Sequence, residues 1–239
     1  MKQLFYAAAL LAITLAGCTP KSAQDKRIEE LTKRCDKFIA LTFDDGPSTL
    51  TPKILDILEE YDATATFFVI GNQVDSTTEP IIRRAVSMGC EIANHSFTHP
   101  YMSKLSPEEQ IAEAQKATSA IEQYAPTPKY FRPPYMDADE ITHSVVPQIF
   151  IGGHCPSDWD SNVSAEERYE GLLERAKDGV IFLLHDFKDN VGTAEALARV
   201  LPTLQAQGYG FVSVSELFTI KNVTPQKGII YRSADTAEK

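Results

Sequence analysis

From residue 37 onward the chain repeats one rhythm: a short apolar run, a polar loop, then a longer segment with apolar residues at helical spacing. The apolar runs cover residues 38–43, 66–70, 91–93, 130–131, 149–151, 180–184 and 211–214. They are short and rich in Ile, Val and Phe, as strands covered on both faces are. Between them, residues 52–61 place Ile54, Leu55 and Leu58 on one helical face, and 79–88, 107–124, 165–177 and 191–207 behave alike. Ser106 followed by Pro107, Glu108 and Glu109 reads as a helix cap with proline and acids in the first turn. Gly208 stands where a C-terminal cap belongs. Strands alternating with helices predict an α/β barrel of parallel strands, although pattern alone does not exclude an open sheet. Residues 219–239 lack clear periodicity, and 233–239 read as a loose tail.

The segment before residue 37 has a different character. Lys2 precedes an apolar stretch from Leu4 to Leu15 that is too short to span a membrane and ends in small residues. Residues 1–17 are therefore expected to be a signal peptide. Its end, Leu15-Ala16-Gly17-Cys18, resembles the lipobox of bacterial lipoproteins. That resemblance implies an acylated Cys18 and a protein held at a membrane of the cell envelope by its lipid anchor. Residues 18–36 are polar and charged, the composition of a tether between lipid and domain, with a helical turn or two expected between Arg27 and Cys35. The organisation expected is a single domain over 37–218 with an extension over 219–239.

Composition adds two exclusions. The 239 residues carry 33 acidic and 23 basic side chains, a formal charge of -10, which disfavours a nucleic-acid partner. With Cys18 set aside, Cys35, Cys90 and Cys155 remain, too few for a disulfide scaffold; they are expected to be small buried hydrophobes.

The chemistry sits just after the apolar runs, where barrel active sites are built. Asp44-Asp45-Gly46-Pro47 follows the first run, and Asn94-His95-Ser96-Phe97-Thr98-His99-Pro100 follows the third. Arg132-Pro133-Pro134-Tyr135, Ser157-Asp158-Trp159 and His185-Asp186 follow later ones. Two of the five histidines lie four apart in one loop, and two imidazoles with a carboxylate make a three-ligand site open to water and substrate. Of two adjacent carboxylates leaving a strand, one can bind a cation while the other accepts a proton. Trp159, the single tryptophan, suits either a core or a sugar-binding cleft.

Residues 42–47, Thr-Phe-Asp-Asp-Gly-Pro, and 95–100, His-Ser-Phe-Thr-His-Pro, closely resemble the first two motifs of the polysaccharide deacetylases of the NodB-homology group, carbohydrate esterase family 4. Residues 132–135, 157–159 and 179–186 resemble the remaining three, in family order. The resemblance implies a distorted (β/α) barrel of seven or eight strands and a divalent metal, zinc or else cobalt or nickel, on Asp45, His95 and His99. It implies Asp44 as general base, Arg132 as its partner, and the Tyr135 backbone N–H as an oxyanion donor. It further implies His185 as general acid tuned by Asp158, and Trp159 and Leu183 as walls of an acetyl pocket. Two positions depart from the family: Met136 replaces a glycine, and Cys155 replaces an aspartate.

The expected activity is removal of N-acetyl groups from hexosamine units of an envelope or extracellular polysaccharide, peptidoglycan-like or chitin-like. The alternatives are an O-acetyl esterase on glycans such as xylan, and a non-catalytic carbohydrate-binding protein.

Overall fold

The computed structural model describes residues 21–234 and the backbone of 237–238. The signal-peptide and Cys18 expectations fall outside the described residues. In chain order the elements are α1 (Ala23–Arg34), β1 (Lys37–Gly46), α2 (Thr51–Glu60), β2 (Thr66–Val69), α3 (Glu79–Ser87), β3 (Glu91–Asn94) and α4 (Pro107–Ile121). There follow β4 (Tyr130–Phe131), α5 (Glu140–Val145), β5 (Ile149–Ile151), α6 (Ala165–Arg175), β6 (Ile181–His185) and α7 (Val191–Gln205). The chain closes with β7 (Tyr209–Val212), α8 (Val214–Ile220), β8 (Ile230–Tyr231) and β9 (Ala237–Glu238).

One curled sheet runs in the order β6-β1-β2-β3-β4-β5-β8-β9, with β7 also on β1. Every pairing is parallel except β8 with β9. The long β1 is paired along both edges: β6 runs along one, and on the other β7 lies against its first half and β2 against its second. Bridges from His154 to Phe182 and from Val180 to Ser233 join the β5–β8 side back to β6. The result is the expected distorted barrel in a single domain.

Alternation along β1 explains how the barrel presents its chemistry. Ile39, Leu41 and Phe43 pack outward with residues of α2 and α7, such as Leu55, Leu58, Leu197 and Leu201. Phe38 and Ala40 belong to a second cluster with Phe68, Ala93, Ile151 and Ile181. Successive strand residues face opposite ways, so Thr42 and Asp44 continue that inner row. Strand β6 repeats the device, with Phe182 and Leu184 outward and Ile181 inward. Asp44 and His185 are register partners at the carboxyl ends of β1 and β6.

Three expectations need correction. Residues 18–36 are not wholly a spacer. Ser22 and Asp25 cap α1 reciprocally, Leu31 is buried among Phe38, Val214, Leu217 and Phe218, and Arg27 donates to Glu216 and to the Asp62 carbonyl. The tail is not loose at residues 233 and 234 either. β8 pairs with β5, and Ala234 is buried and donates its N–H to the Gly179 carbonyl at 2.7 Å. The last run of the rhythm ends early, because Ser213 leaves the sheet to cap α8 in a box with Glu216.

Candidate active site

Asp45, His95 and His99 converge although they come from the end of β1 and from the loop after β3. Asp45 Oδ1 lies 3.1 Å from His99 Nε2 and 3.4 Å from His95 Nε2. Asp45, Ser96 and His99 have φ of 73°, 62° and 61°, left-handed conformations that L residues adopt at a cost of roughly 1–2 kcal/mol. Such strain is concentrated where geometry matters more than local stability. The His95–His99 loop is tied down by Glu113 of α4, which accepts from the Phe97 and Thr98 N–H groups at 2.9 and 2.7 Å. The Gly46 position tolerates no side chain, because a Cβ there would fall 2.5 Å from Asp186 Oδ2.

This donor set suits a divalent cation. His95 Nδ1 donates to the Arg132 carbonyl at 2.7 Å, which leaves the Nε2 lone pair facing Asp45. Asp45 Oδ1 is buried without a hydrogen-bond partner, so its lone pairs are also free. Burial works against ionisation of Asp45, but the two imidazoles and the more distant His185 outweigh it and hold the carboxyl far below its ordinary range. Two imidazole nitrogens and one carboxylate oxygen fit zinc or cobalt better than magnesium or calcium.

Asp44 lies on the inner row beside a fully buried arginine. Arg132 Nη1 donates to Asp44 Oδ1 at 2.5 Å and to Thr42 Oγ1 at 2.9 Å. Its Nε and Nη2 donate to the carbonyls of Ile151 and Gly152, and the guanidinium lies 4.1 Å over the Phe68 ring. Every face of the group is thus used, as a buried charge requires. Asp44 Oδ2 is 3.9 Å from His95 Nε2, so the free oxygen points toward the bis-imidazole set.

His185 and Asp158 form the opposite wall. Asp158 is fully buried; its Oδ1 lies 2.7 Å from His185 Nδ1, and its Oδ2 accepts the His185 N–H and the Thr193 hydroxyl, each at 2.8 Å. Burial lowers the pKa of the imidazole, but the hydrogen bond and charge of Asp158, then Asp44 and Asp45, raise it to about 9. Its neighbour Asp186 faces the other way. Burial, with the charges of Asp45 and Asp44, pushes that carboxyl up to about 7 against the hydrogen bond from Thr51.

A cleft of about 590 Å³ joins these walls, lined also by Tyr101, Tyr135, Met136, Cys155, Trp159 and Leu183. Trp159 is 59% exposed, which rules out the core reading of that residue. Tyr135 and Met136 both have positive φ, at 58° and 56°. The second explains why a glycine is the easier residue there, and Met136 holds the conformation regardless.

Eight of the ten sequence-selected residues from Asp44 to His185 therefore line one cleft. The fully buried Arg132 and Asp158 stand behind it and hold Asp44 and His185, and only Cys18 lies outside the described residues. Sequence reasoning missed Tyr101, which stacks on Tyr135 with ring centroids 4.1 Å apart, and it missed Glu113 and Thr193. None carries a motif of its own; an exposed tyrosine directly after His99-Pro100 was the one available signal. Cys35, Cys90 and Cys155 are free thiols, with Cys90 buried and the other two half-buried.

A parallel barrel whose carboxyl ends gather three imidazoles, three carboxylates and a buried arginine around one cleft has the frame of a hydrolase. The polysaccharide deacetylase family model matches residues 32–149. A peptidoglycan-N-acetylglucosamine deacetylase of Bacillus cereus is 38% identical over 78% of this chain and 91% of its own length. The chain belongs to the polysaccharide deacetylase family. A bifunctional xylanase/deacetylase of Pseudobutyrivibrio xylanivorans is 46% identical over 79% of this chain, which spans about a third (32%) of that larger protein. Among solved structures, a family 4 acetyl xylan esterase from Clostridium thermocellum in complex with a cobalt ion superimposes with a TM-score of 0.81. It is 40% identical, covering 84% of this chain and all (100%) of that one.

Proposed function

We propose that the protein is a metal-dependent hydrolase that removes N-acetyl groups from hexosamine units of a polysaccharide. The observation that carries this reading is the pairing of two unlike proton-handling groups across one cleft. Asp44 is held by Arg132 on one side, and His185 is held by Asp158 on the other.

Asp45, His95 and His99 would hold a divalent cation, zinc or cobalt, which when bound supplies Lewis-acid activation of water and polarisation of the acetyl carbonyl. Asp44 Oδ2 accepts the proton of the attacking water, while Arg132, bonded to Oδ1, keeps the carboxylate aimed. The Tyr135 N–H, turned by its left-handed φ, donates to the developing oxyanion; one such donor is worth roughly 2.7–4 kcal/mol. Protonated His185 gives its Nε2 proton to the departing amine, and Asp158 on Nδ1 stabilises the imidazolium. Trp159 and Leu183 enclose the acetyl methyl.

A second reading, O-acetyl esterase on a glycan such as xylan, is favoured by similarity. The xylanase/deacetylase and the acetyl xylan esterase are 46% and 40% identical, against 38% for the Bacillus cereus protein. Mass spectrometry of metal-loaded protein with N-acetylglucosamine oligomers and with acetylated xylo-oligosaccharides separates the two. Acetyl loss from the former is expected. Loss from the latter alone would establish the esterase, and loss from neither would leave a sugar-binding protein.

Residues 15–18 support a cell-envelope location through an acylated Cys18. Cys18→Ser should then leave the membrane fraction, and unchanged association would refute the anchor.

A further inference from the structure

Beside the Asp45–His95–His99 set, Cys155, Asp158 and His185 place a second trio of ligand-type atoms within 4.8 Å of one another. Asp158 Oδ1 is the hub, 3.4 Å from Cys155 Sγ and 2.7 Å from His185 Nδ1. Asp158 is fully buried, whereas Cys155 and His185 both line the cleft, so an ion reaches the trio from solvent. We propose that Cys155, Asp158 and His185 form a second, inhibitory cation site, selective for thiophilic ions such as Zn²⁺. The inhibition rests on the reading of His185 as proton donor.

The geometry is close to what a small cation needs. Zinc takes sulfur at about 2.3 Å and nitrogen or oxygen at about 2.0–2.2 Å, so tetrahedral ligand atoms stand roughly 3.3–3.6 Å apart. The Sγ–Oδ1 distance already has that value. The Nδ1–Oδ1 distance must open by roughly half an ångström, a small swing of a ring at the cleft wall. Binding displaces two protons to solvent, one from the Cys155 thiol and one from His185 Nδ1. Burial first, and then Asp158, otherwise hold that thiol protonated, with its pKa pushed up to about 12. A coordinating cation reverses this and removes the thiol proton. Thiolate and carboxylate then neutralise the dication, so no unpaired charge is left in the wall.

The consequence for the site follows from the proton count. His185 keeps only the Nε2 proton of a neutral imidazole, which is not an acid near neutral pH, and Asp158 is no longer free to stabilise an imidazolium. An enzyme holding one catalytic ion should lose turnover as the second site fills. Hard ions such as Mg²⁺ should not cause this, because thiolate ligands select soft ones.

Cobalt titration of the metal-free protein provides a test independent of activity, since thiolate-bound Co²⁺ has a near-ultraviolet charge-transfer band. Wild type and Cys35→Ser should bind two equivalents, the second with that band; Cys155→Ser should bind one, without it. With one ion loaded, excess Zn²⁺ should slow wild type by roughly 10²-fold, the lower end of what a general acid contributes. The ratio of rates with and without excess should stay near unity in Cys155→Ser, whatever its own rate. A single equivalent and no thiolate band in wild type would overturn the site, and a second ion that leaves the rate unchanged would overturn its inhibitory role. Protein that shows the band but releases no acetyl at any loading would overturn the hydrolase reading instead.

Discussion

His185 titrates where it does because of one neighbour. Its ordinary value of 6.5 is raised to about 9, against burial, chiefly by the hydrogen bond and charge of Asp158. A raised imidazole pKa means that the folded state favours the proton. The stabilisation is therefore complete below about pH 6.5 and is lost as pH rises through about 9. Asp158→Asn removes the largest raising contact and leaves burial in place. In metal-free protein the His185 midpoint should fall from about 9 to 6.5 or below, read from its ring protons by NMR. A midpoint that stays near 9 would place the source of the shift in Asp44 and Asp45 instead. At this scale the sequence was informative wherever chemistry is contiguous along the chain. Asp44-Asp45, His95 with His99, and His185 each announce themselves within a few residues. Glu113, Thr193 and Tyr101 do not, because each acts through a partner supplied by a different segment, and a glutamate on a helix looks the same whether it faces solvent or caps a distant loop.

Helix α1 shows how an element is only partly legible: a turn or two was expected between Arg27 and Cys35, and the helix runs from Ala23 to Arg34. Its composition is charged, and its apolar contribution to the body is small: Leu31 is its one buried residue. Periodicity analysis needs several apolar positions per face, so the segment read as a tether with no more than a helical turn or two. The signals present were local ones, Ser22 with Asp25 and Ser213 with Glu216, both reciprocal caps. The caps matter because they set where α1 begins and where the chain leaves β7 for α8. The docking of α1 then depends on a single side chain with the Arg27 contacts to Glu216 and Asp62 around it. Leu31→Ala should cost about 2–5 kcal/mol, the range for emptying a leucine-sized core position. Chemical denaturation measures the cost, and limited proteolysis should then cut between residues 21 and 36. A loss below about 0.5 kcal/mol, the usual bound for surface changes, would show that α1 is not part of the cooperative unit.

At the scale of the whole molecule the barrel converts a linear alternation into a site. The inner row of β1 runs from Phe38 and Ala40 through Thr42 to Asp44, so hydrophobic packing at one end becomes polar chemistry at the other. Seven of the nine strands were legible from spacing, whereas β8, β9 and the closure of the sheet were not. The β8 wedge beside β5 and the bridges at His154 and Ser233 are two-residue or single-pair events with no periodicity to detect. Because the two aspartates leave β1 with different partners, the molecule as a whole should respond to metal in a way that separates them. A ligand that binds only the folded state adds RT ln(1 + [L]/Kd) to stability, about 2.7 kcal/mol at a hundredfold excess over Kd. Asp44 is held by Arg132 rather than by the imidazoles, so Asp44→Asn should still gain in melting temperature with zinc while losing turnover. Asp45 Oδ1 faces both His95 and His99, so Asp45→Asn should lose most of the zinc-dependent gain and turnover together. Scanning calorimetry with and without zinc, beside a deacetylation assay on the same samples, gives both readings. If Asp45→Asn keeps the thermal response and Asp44→Asn loses it, the roles of the pair are exchanged. If both keep response and turnover, the cation sits elsewhere in the cleft.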